Sequence, residues 1–281
     1  MLLPLSLGNN PLTLEEILKG SHPIVSLLKN ASHPMLIVGQ DLLTREDGDV
    51  LLGITRQLAE KYEFIYSHPT TDYWNGFNVL HTAASRVGGL DLGFTPDTKG
   101  NTVQGIIKAA ATKKLKAIYL LGADELDMSC FSSTFVIYQG HHGDQGAAYA
   151  DIILPGAAYT EKAGTYVNTE GRVQQSFRAV FPPGQAQEDW KIICTLAQYL
   201  KINLPYSTQE GIGKRLADVN SSFEELDTIP HVPWLPFGKK GTISPTPLLS
   251  QTTSFYMTDP ISRHSVTMAK CQEAQKKRKA L

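Results

Sequence analysis

The sequence predicts an α/β fold: a mostly parallel, doubly wound sheet with helices on both faces, a hairpin projecting near 165–176, and an irregular Pro-rich C-terminal extension. Three observations carry this reading. Short apolar runs that stop at glycine or proline recur along the first two thirds of the 281 residues, and segments with apolar residues at three- and four-residue spacing separate them. The rhythm is lost after Leu200, where Pro230, Pro233, Pro236, Pro245 and Pro247 follow in quick succession.

Taken in order, Met1 to Gly20 is apolar at first, is broken by Pro4 and has no basic residue before Lys19, which is neither a secretory signal nor an Arg-rich transit peptide. A helix starts at Thr13, with Glu15 and Glu16 in its first turn. Met35–Gly39 is a strand, and Leu51, Leu52, Ile54, Thr55 and Leu58 form the apolar stripe of a helix. Glu63–Ser67 is a second strand, and Phe77, Leu80, Ala84 and Val87 recur at helical spacing as far as Gly88-Gly89. Thr102–Leu115 is a helix with Val103, Ile106, Ile107 and Ala110 on one face. Lys116–Gly122, Thr134–Tyr138 and Asp151–Pro155 are further strands, joined by right-handed crossovers.

Residues 165–176 alternate in type around Glu170-Gly171, the pattern of a two-stranded hairpin. Asp189–Leu200 is a helix with a carboxylate at the favourable end of its dipole, and another helix lies near Ile212–Leu216. From Ser254 the chain carries Phe255 and Tyr256, then a basic end, Lys276–Lys279, expected either as a solvated tail or as an arm across a partner. The chain divides into a lead-in segment 1–30, an α/β domain 31–205 and a partner-contacting extension 206–281.

Composition narrows the function. The 26 basic and 27 acidic residues leave a net charge of -1, which gives no electrostatic reason to expect nucleic acid, and no run approaches the roughly 18 apolar residues of a membrane span. Cys130, Cys194 and Cys271 are isolated thiols, one short of the four that an iron-sulfur cluster ordinarily takes. Gly140-His-His-Gly-Asp144 draws attention as a metal or acid–base group. In an extended segment, however, adjacent rings point apart, so His141, His142 and Asp144 are read as a loop at a strand end. Gly39 and Gly122-Ala-Asp124 stand at similar ends, where open α/β sheets bind ligands. No phosphate loop, dinucleotide fingerprint or nucleophile elbow is present. Arg172 is expected in a structural ion pair with Glu161 or Glu170. No catalytic, cofactor-binding or metal-binding residue is assigned.

Ala150-Asp-Ile-Ile-Leu-Pro155, continued by Glu161, Gly164-Thr165, Asn168 and Glu170-Gly-Arg-Val-Gln174, resembles the molybdopterin oxidoreductase fold family. Tyr138–Asp144, Leu121–Asp124, Pro155–Lys162, Glu188–Ile193 and the tail Phe255–Arg263 with Met268–Cys271 look like one branch of it, the large iron-sulfur subunit of mitochondrial NADH:ubiquinone oxidoreductase, respiratory complex I. The resemblance implies a C-terminal part whose relatives hold their clusters in an N-terminal region and have lost molybdenum chemistry. The 81 residues after Leu200 are too proline-dense for the cofactor-holding barrel of the molybdenum enzymes.

The expectation is therefore a non-catalytic structural and assembly component of the matrix arm, on the matrix side of the mitochondrial inner membrane. No cofactor is expected in this chain. The clusters would sit on a partner chain, the N-terminal half of a split large iron-sulfur subunit, with other matrix-arm subunits as further partners. The alternative is a molybdopterin-binding oxidoreductase component related to formate dehydrogenase.

Overall fold

The computed structural model describes residues 5–68, 71–96, 102–143, 145–230, 232–250 and 254–279, which divide into two compact units. The first comprises residues up to Arg86 with Thr169–Gly171 and Pro230–Thr253; the second comprises Val87–Asn168, Arg172–Ile229 and Ser254–Leu281.

In the first unit, helices α1 (Thr13–Lys19) and α2 (Val25–Lys29) lead to strand β1 (Leu36–Gly39), a short helix α3 (Gln40–Leu43) and the long helix α4 (Gly48–Lys61). Strands β2 (Ile65–His68) and β3 (Thr71–Asn75) form an antiparallel pair, and β4 (Phe77–Leu80) returns to lie parallel to β1, Leu36 opposite Phe77. Leu51, Ile54, Thr55 and Leu58 line the buried side of α4, at the spacing that the sequence predicts, and pack with Ile17, Tyr62 and Phe64. The Tyr62 hydroxyl donates to the Ile17 carbonyl at 2.6 Å inside this core, so the polar end of the ring is satisfied where water is excluded.

The proline-rich stretch has no regular structure in residues 232–250, yet it is tightly held within this unit. Trp234 meets Phe77 edge-on and Phe237 packs tilted against it, Ile243 enters the core, and the Leu248 N–H donates to the Asn9 carbonyl at 2.7 Å. Gly53 and Gly238 allow the closest approach: a Cβ on Gly53 would stand 2.5 Å from the Lys239 carbonyl oxygen, and Gly238, at φ +71°, lies against the Gly53 nitrogen. Arg45 and Asp47 fix the far end. The guanidinium donates to both Asp47 oxygens at 2.8 and 3.0 Å and to the Thr246 carbonyl at 2.9 Å, while Asp47 accepts the Ser244 N–H at 2.8 Å.

The second unit begins with α5 (Arg86–Asp91) and α6 (Val103–Ala111), whose Thr102 side chain accepts the Gly105 N–H at 3.1 Å as an N-cap. Strands β5 (Ala117–Leu121), β6 (Phe135–Gly140) and β7 (Ile152–Pro155) form a parallel sheet in that order, with a 3-10 turn at Met128–Phe131 and helix α7 (Gln145–Ala148) as the connections. Their core gathers Leu120, Met128, Phe131, Val136 and Tyr138 with Ile106 and Ala110 of α6. The expected hairpin is present as β8 (Gly164–Val167) and β9 (Val173–Ser176), Val167 opposite Val173. Helices α8 (Asp189–Tyr199) and α9 (Gln209–Val219) follow, then α10 (Pro260–Arg263), capped by Asp259, and α11 (Val266–Lys279).

Three expectations are corrected. Phe77–Leu80 is a strand, and the helix begins at Arg86 and runs through Gly88-Gly89, because the helical spacing of Phe77, Leu80, Ala84 and Val87 spans two unrelated elements. In place of one doubly wound sheet, the described residues form two small parallel sheets and two antiparallel pairs, since the alternation is shared between two units. The chain after Ser254 is helical where the sequence leaves a tail or an arm. No helix among the described residues is long and apolar enough to cross a membrane.

The Arg45 guanidinium holds the Asp47 carboxyl down at about 2, against the opposing effect of burial. A carboxylate depressed on folding contributes stability that is present above its unfolded pKa and is lost as pH falls toward the folded one. We expect thermal stability to fall between about pH 4 and pH 2, with about 2 kcal/mol of the loss removed from the profile by Asp47→Asn, as read by calorimetry across that range. An unchanged acid limb in the variant would show that this pair is not its source.

Candidate functional site

In open parallel sheets, ligands bind beyond the carboxyl ends of the strands, and here those ends bring Gly122, Gly140 and Gly156 together. Gly122 has open space where a side chain would be, but the space beside Gly140 is filled from inside. Tyr138, only 2% exposed, projects its ring against both Gly140 and Gly146: a Cβ at Gly140 would stand 2.3 Å from the phenol oxygen, and one at Gly146 would stand 2.5 Å from the ring. The phenol lies 3.4 Å from Oδ2 of the buried Asp124, whose other oxygen accepts from Arg263 at 2.8 Å, with Glu125 at 3.5 Å from the same guanidinium. Arg263 sits at the end of the short helix α10, which its Asp259–Ser262 capping box sets in place.

A second polar chain runs on the other side of β6. Gln139, fully buried, donates its amide to Asp189 at 2.8 Å and accepts from the Tyr119 hydroxyl, and Lys162 closes on the second oxygen of Asp189. Burial, then the Asp189 charge, pushes the Tyr119 phenol above its ordinary range. Each member is hydrogen-bonded to the next, so the chain joins β5, β6 and the start of α8.

His141 and His142 are brought together with His264. The two Nδ1 atoms of His141 and His142 approach to 2.7 Å, one donating and one accepting, and the His142 and His264 ring centres are 5.4 Å apart. The two nitrogens of His264 face the carbonyls of Pro260 at 2.7 Å and Gly143 at 3.0 Å. A carbonyl only accepts, so both contacts are hydrogen bonds together only when the ring is cationic. Burial, then the neighbouring His142 and the Lys162 ammonium, pushes His141 below the usual imidazole range, with Asp189 and Asp124 acting the other way.

No three His, Cys, Asp or Glu side chains among the described residues are arranged to hold a metal ion. Asp144 lies outside the described residues. Gly39, at the end of β1, has open space where a side chain would be. Glu161 accepts the Ala158 N–H at 2.9 Å, and the Arg172 guanidinium donates to the Asp227 carbonyl. The three thiols are free and half-buried, and burial pushes the Cys130 thiol up. A wide cleft of about 1080 Å³ follows α8 between Leu154, Trp190, Cys194 and Tyr206; among the described residues, Lys191 is the one charged group in its lining.

Sequence reading found the strand-end glycines and both adjacent histidines, and it missed Tyr119, Gln139, Lys162 and Arg263. Gln139 gave one signal, a polar residue inside an otherwise apolar strand; the others depend on elements up to 139 residues apart.

The family model for molybdopterin oxidoreductase matches residues 5–199, and that for the C-terminal part of the G subunit of NADH-ubiquinone oxidoreductase matches residues 235–271. The G subunit of the NADH-quinone oxidoreductase of Rickettsia typhi is 42% identical over 273 residues, 97% of this chain and 38% of that protein. The NADH-ubiquinone oxidoreductase 75 kDa subunit of Reclinomonas americana is 43% identical over 277 residues, 96% of this chain and 38% of that one. The mitochondrial 78 kDa subunit of the same oxidoreductase in Candida albicans is 42% identical over 95% of this chain and 36% of its own. The chain thus spans less than two fifths of the length of these relatives. Among solved structures, acetylene hydratase from Pelobacter acetylenicus matches with a TM-score of 0.36 and 17% identity, over 60% of this chain and 24% of that one.

Two outcomes are expected of the strand-end cluster. Gly140→Ala should lower stability by about 1–3 kcal/mol by driving a methyl into Tyr138, and the combination with Tyr138→Ala should cost less than the sum of the two. Strict additivity in chemical denaturation would show that the ring is not the obstacle. By NMR, His141 should stay neutral as pH falls below about 6.5. Protonation at a higher pH would contradict the burial that the geometry gives it.

Proposed function

The chain belongs to the molybdopterin oxidoreductase family, and on that premise we propose that it is a non-catalytic structural and assembly component of the peripheral arm of respiratory complex I. It supports NADH-to-ubiquinone electron transfer from the matrix side of the mitochondrial inner membrane and carries no cluster itself. The names of its relatives, and the match of residues 235–271 to the C-terminal part of the G subunit, support the assignment to this complex.

The observation that carries the non-catalytic reading is the ring of Tyr138 in the strand-end crevice. A pterin dinucleotide seated there would need the glycines at the strand ends to leave room for its phosphates. Gly140 at its strand end, and Gly146 of α7, leave room for Tyr138 instead, and Arg263 occupies the Asp124 carboxylate. Around Gly140 the residues present do not fit the group.

The partners are the other subunits of the arm and, above all, the cluster-bearing region of the large iron-sulfur subunit. Three cysteines fall short of the four thiolates of an ordinary cluster, which supports placing the clusters outside these 281 residues.

When the tagged chain is extracted from mitochondrial membranes in mild detergent and separated on a native gel, we expect it to co-migrate with NADH-oxidising activity. Mass spectrometry of that band should identify a separate chain bearing the cluster cysteines. Migration as a small species would overturn the assignment, the cluster cysteines on the same polypeptide would overturn the split, and stoichiometric molybdenum would overturn the non-catalytic reading.

A further inference from the structure

The parallel sheet of the second unit is covered only in part on each side: Ile153 stays 53% exposed beside Tyr138, and on the other face α8 reaches the carboxyl end, where Asp189 holds the buried Gln139. Side chains alternate along each strand, and the register pairs Ile118 with Val136 and Leu120 with Tyr138 on the face that packs into the core. The opposite face carries Ala117, Tyr119 and Leu121 from β5, Phe135, Ile137 and Gln139 from β6, and Ile152 and Leu154 from β7; Gln139 is fully buried, and the rows away from it are the bare part. Leu121 is 52% exposed, Phe135 45% and Ile152 44%. Parallel sheets occur with both faces covered, so a face of this composition is the seat of something that packs on it.

Chain handedness says what that is. The connections from β5 to β6 and from β6 to β7, the 3-10 turn and α7, both contribute to the same buried cluster, as right-handed crossovers must when a sheet grows in one direction. Crossovers on the opposite face belong to strands added in the other direction, from the free edge of β5. Among the described residues that edge has no strand partner. The Gly122 N–H donates to Gln139 of β6, so by the two-residue period the N–H groups of Ala117, Tyr119 and Leu121 point away from the sheet.

We propose that the free edge of β5 takes a parallel strand, and the face of Leu121 and Phe135 takes the apolar side of the helix that follows it, both from the cluster-bearing polypeptide. This rests on the function proposed above. More than half the length of the relatives lies outside the match, and the match of 235–271 to a C-terminal model places that length ahead of this region in them. It supplies ample chain for a strand and a helix, and main-chain pairing at an edge gives such a contact its direction.

A benzophenone residue placed at Phe135, with exposed Lys108 of α6 as control, tests this in the purified assembly. Crosslinks from position 135 should reach the cluster-bearing polypeptide, and those from position 108 should not. Crosslinks from 135 to another part of this chain, to a second copy or to a different subunit, or none at all, would overturn the proposal while leaving membership of the complex intact. A chain absent from the assembly would overturn both. Ala117→Pro removes an N–H that bonds to nothing within the sheet; it should leave the melting temperature of the chain unchanged yet lower its recovery in the assembly about tenfold. Undiminished recovery would rule out strand pairing at this edge.

Discussion

The carboxyl end of the three-stranded sheet is organised around the volume of one side chain, Tyr138. Its ring occupies the ground between Gly140 and Gly146, and its hydroxyl turns toward Asp124. Once that space is taken, the buried carboxylate needs a cation from elsewhere, and Arg263 supplies it from 139 residues further along the chain. The placement of α10, the contact of His264 with the Gly143 carbonyl and the pairing of His141 with His142 all follow the outline of that filled crevice.

Much of this was legible in the sequence, and the reasons are local. Strands β5, β6 and β7 are short apolar runs bounded by glycine and proline, and α4 and α8 carry their periodicity over eleven residues or more, so neighbouring residues alone identify them. The hairpin at 164–176 was equally plain, because alternation and a Glu-Gly turn agree. Phe77–Leu80 was misread because its strand character comes from β1, forty residues earlier, while its local spacing imitates a helix. At the site, the adjacent histidines drew attention through their chemistry, but the groups that hold the site together, Lys162 on Asp189 and Arg263 on Asp124, are ordinary charged residues whose meaning exists only after folding.

The proline-rich segment teaches a related lesson. Proline density correctly excluded helix and strand, and it says nothing about packing. Residues 234–248 are held by an aromatic trio, a pair of glycines in near contact and the fork of Arg45, a set of restraints as specific as any sheet ladder. Prolines also limit what such a segment can do when unfolded, which lowers the entropic cost of laying it down without hydrogen-bonded regularity.

That segment also bears on how the protein is made. The first unit has its helices and strands complete by residue 86, yet Ile243 belongs to its core and Leu248 bonds back to Asn9. A ribosome adding about 5–20 residues per second needs on the order of ten seconds to travel from one to the other. During that interval Phe77 and the side of α4 that will receive Lys239 stand uncovered on a nascent chain whose second unit is already emerging. A holding chaperone that recognises exposed aromatic surface would have its natural window there, and synthesis of residues 234–248 would be the step that releases it.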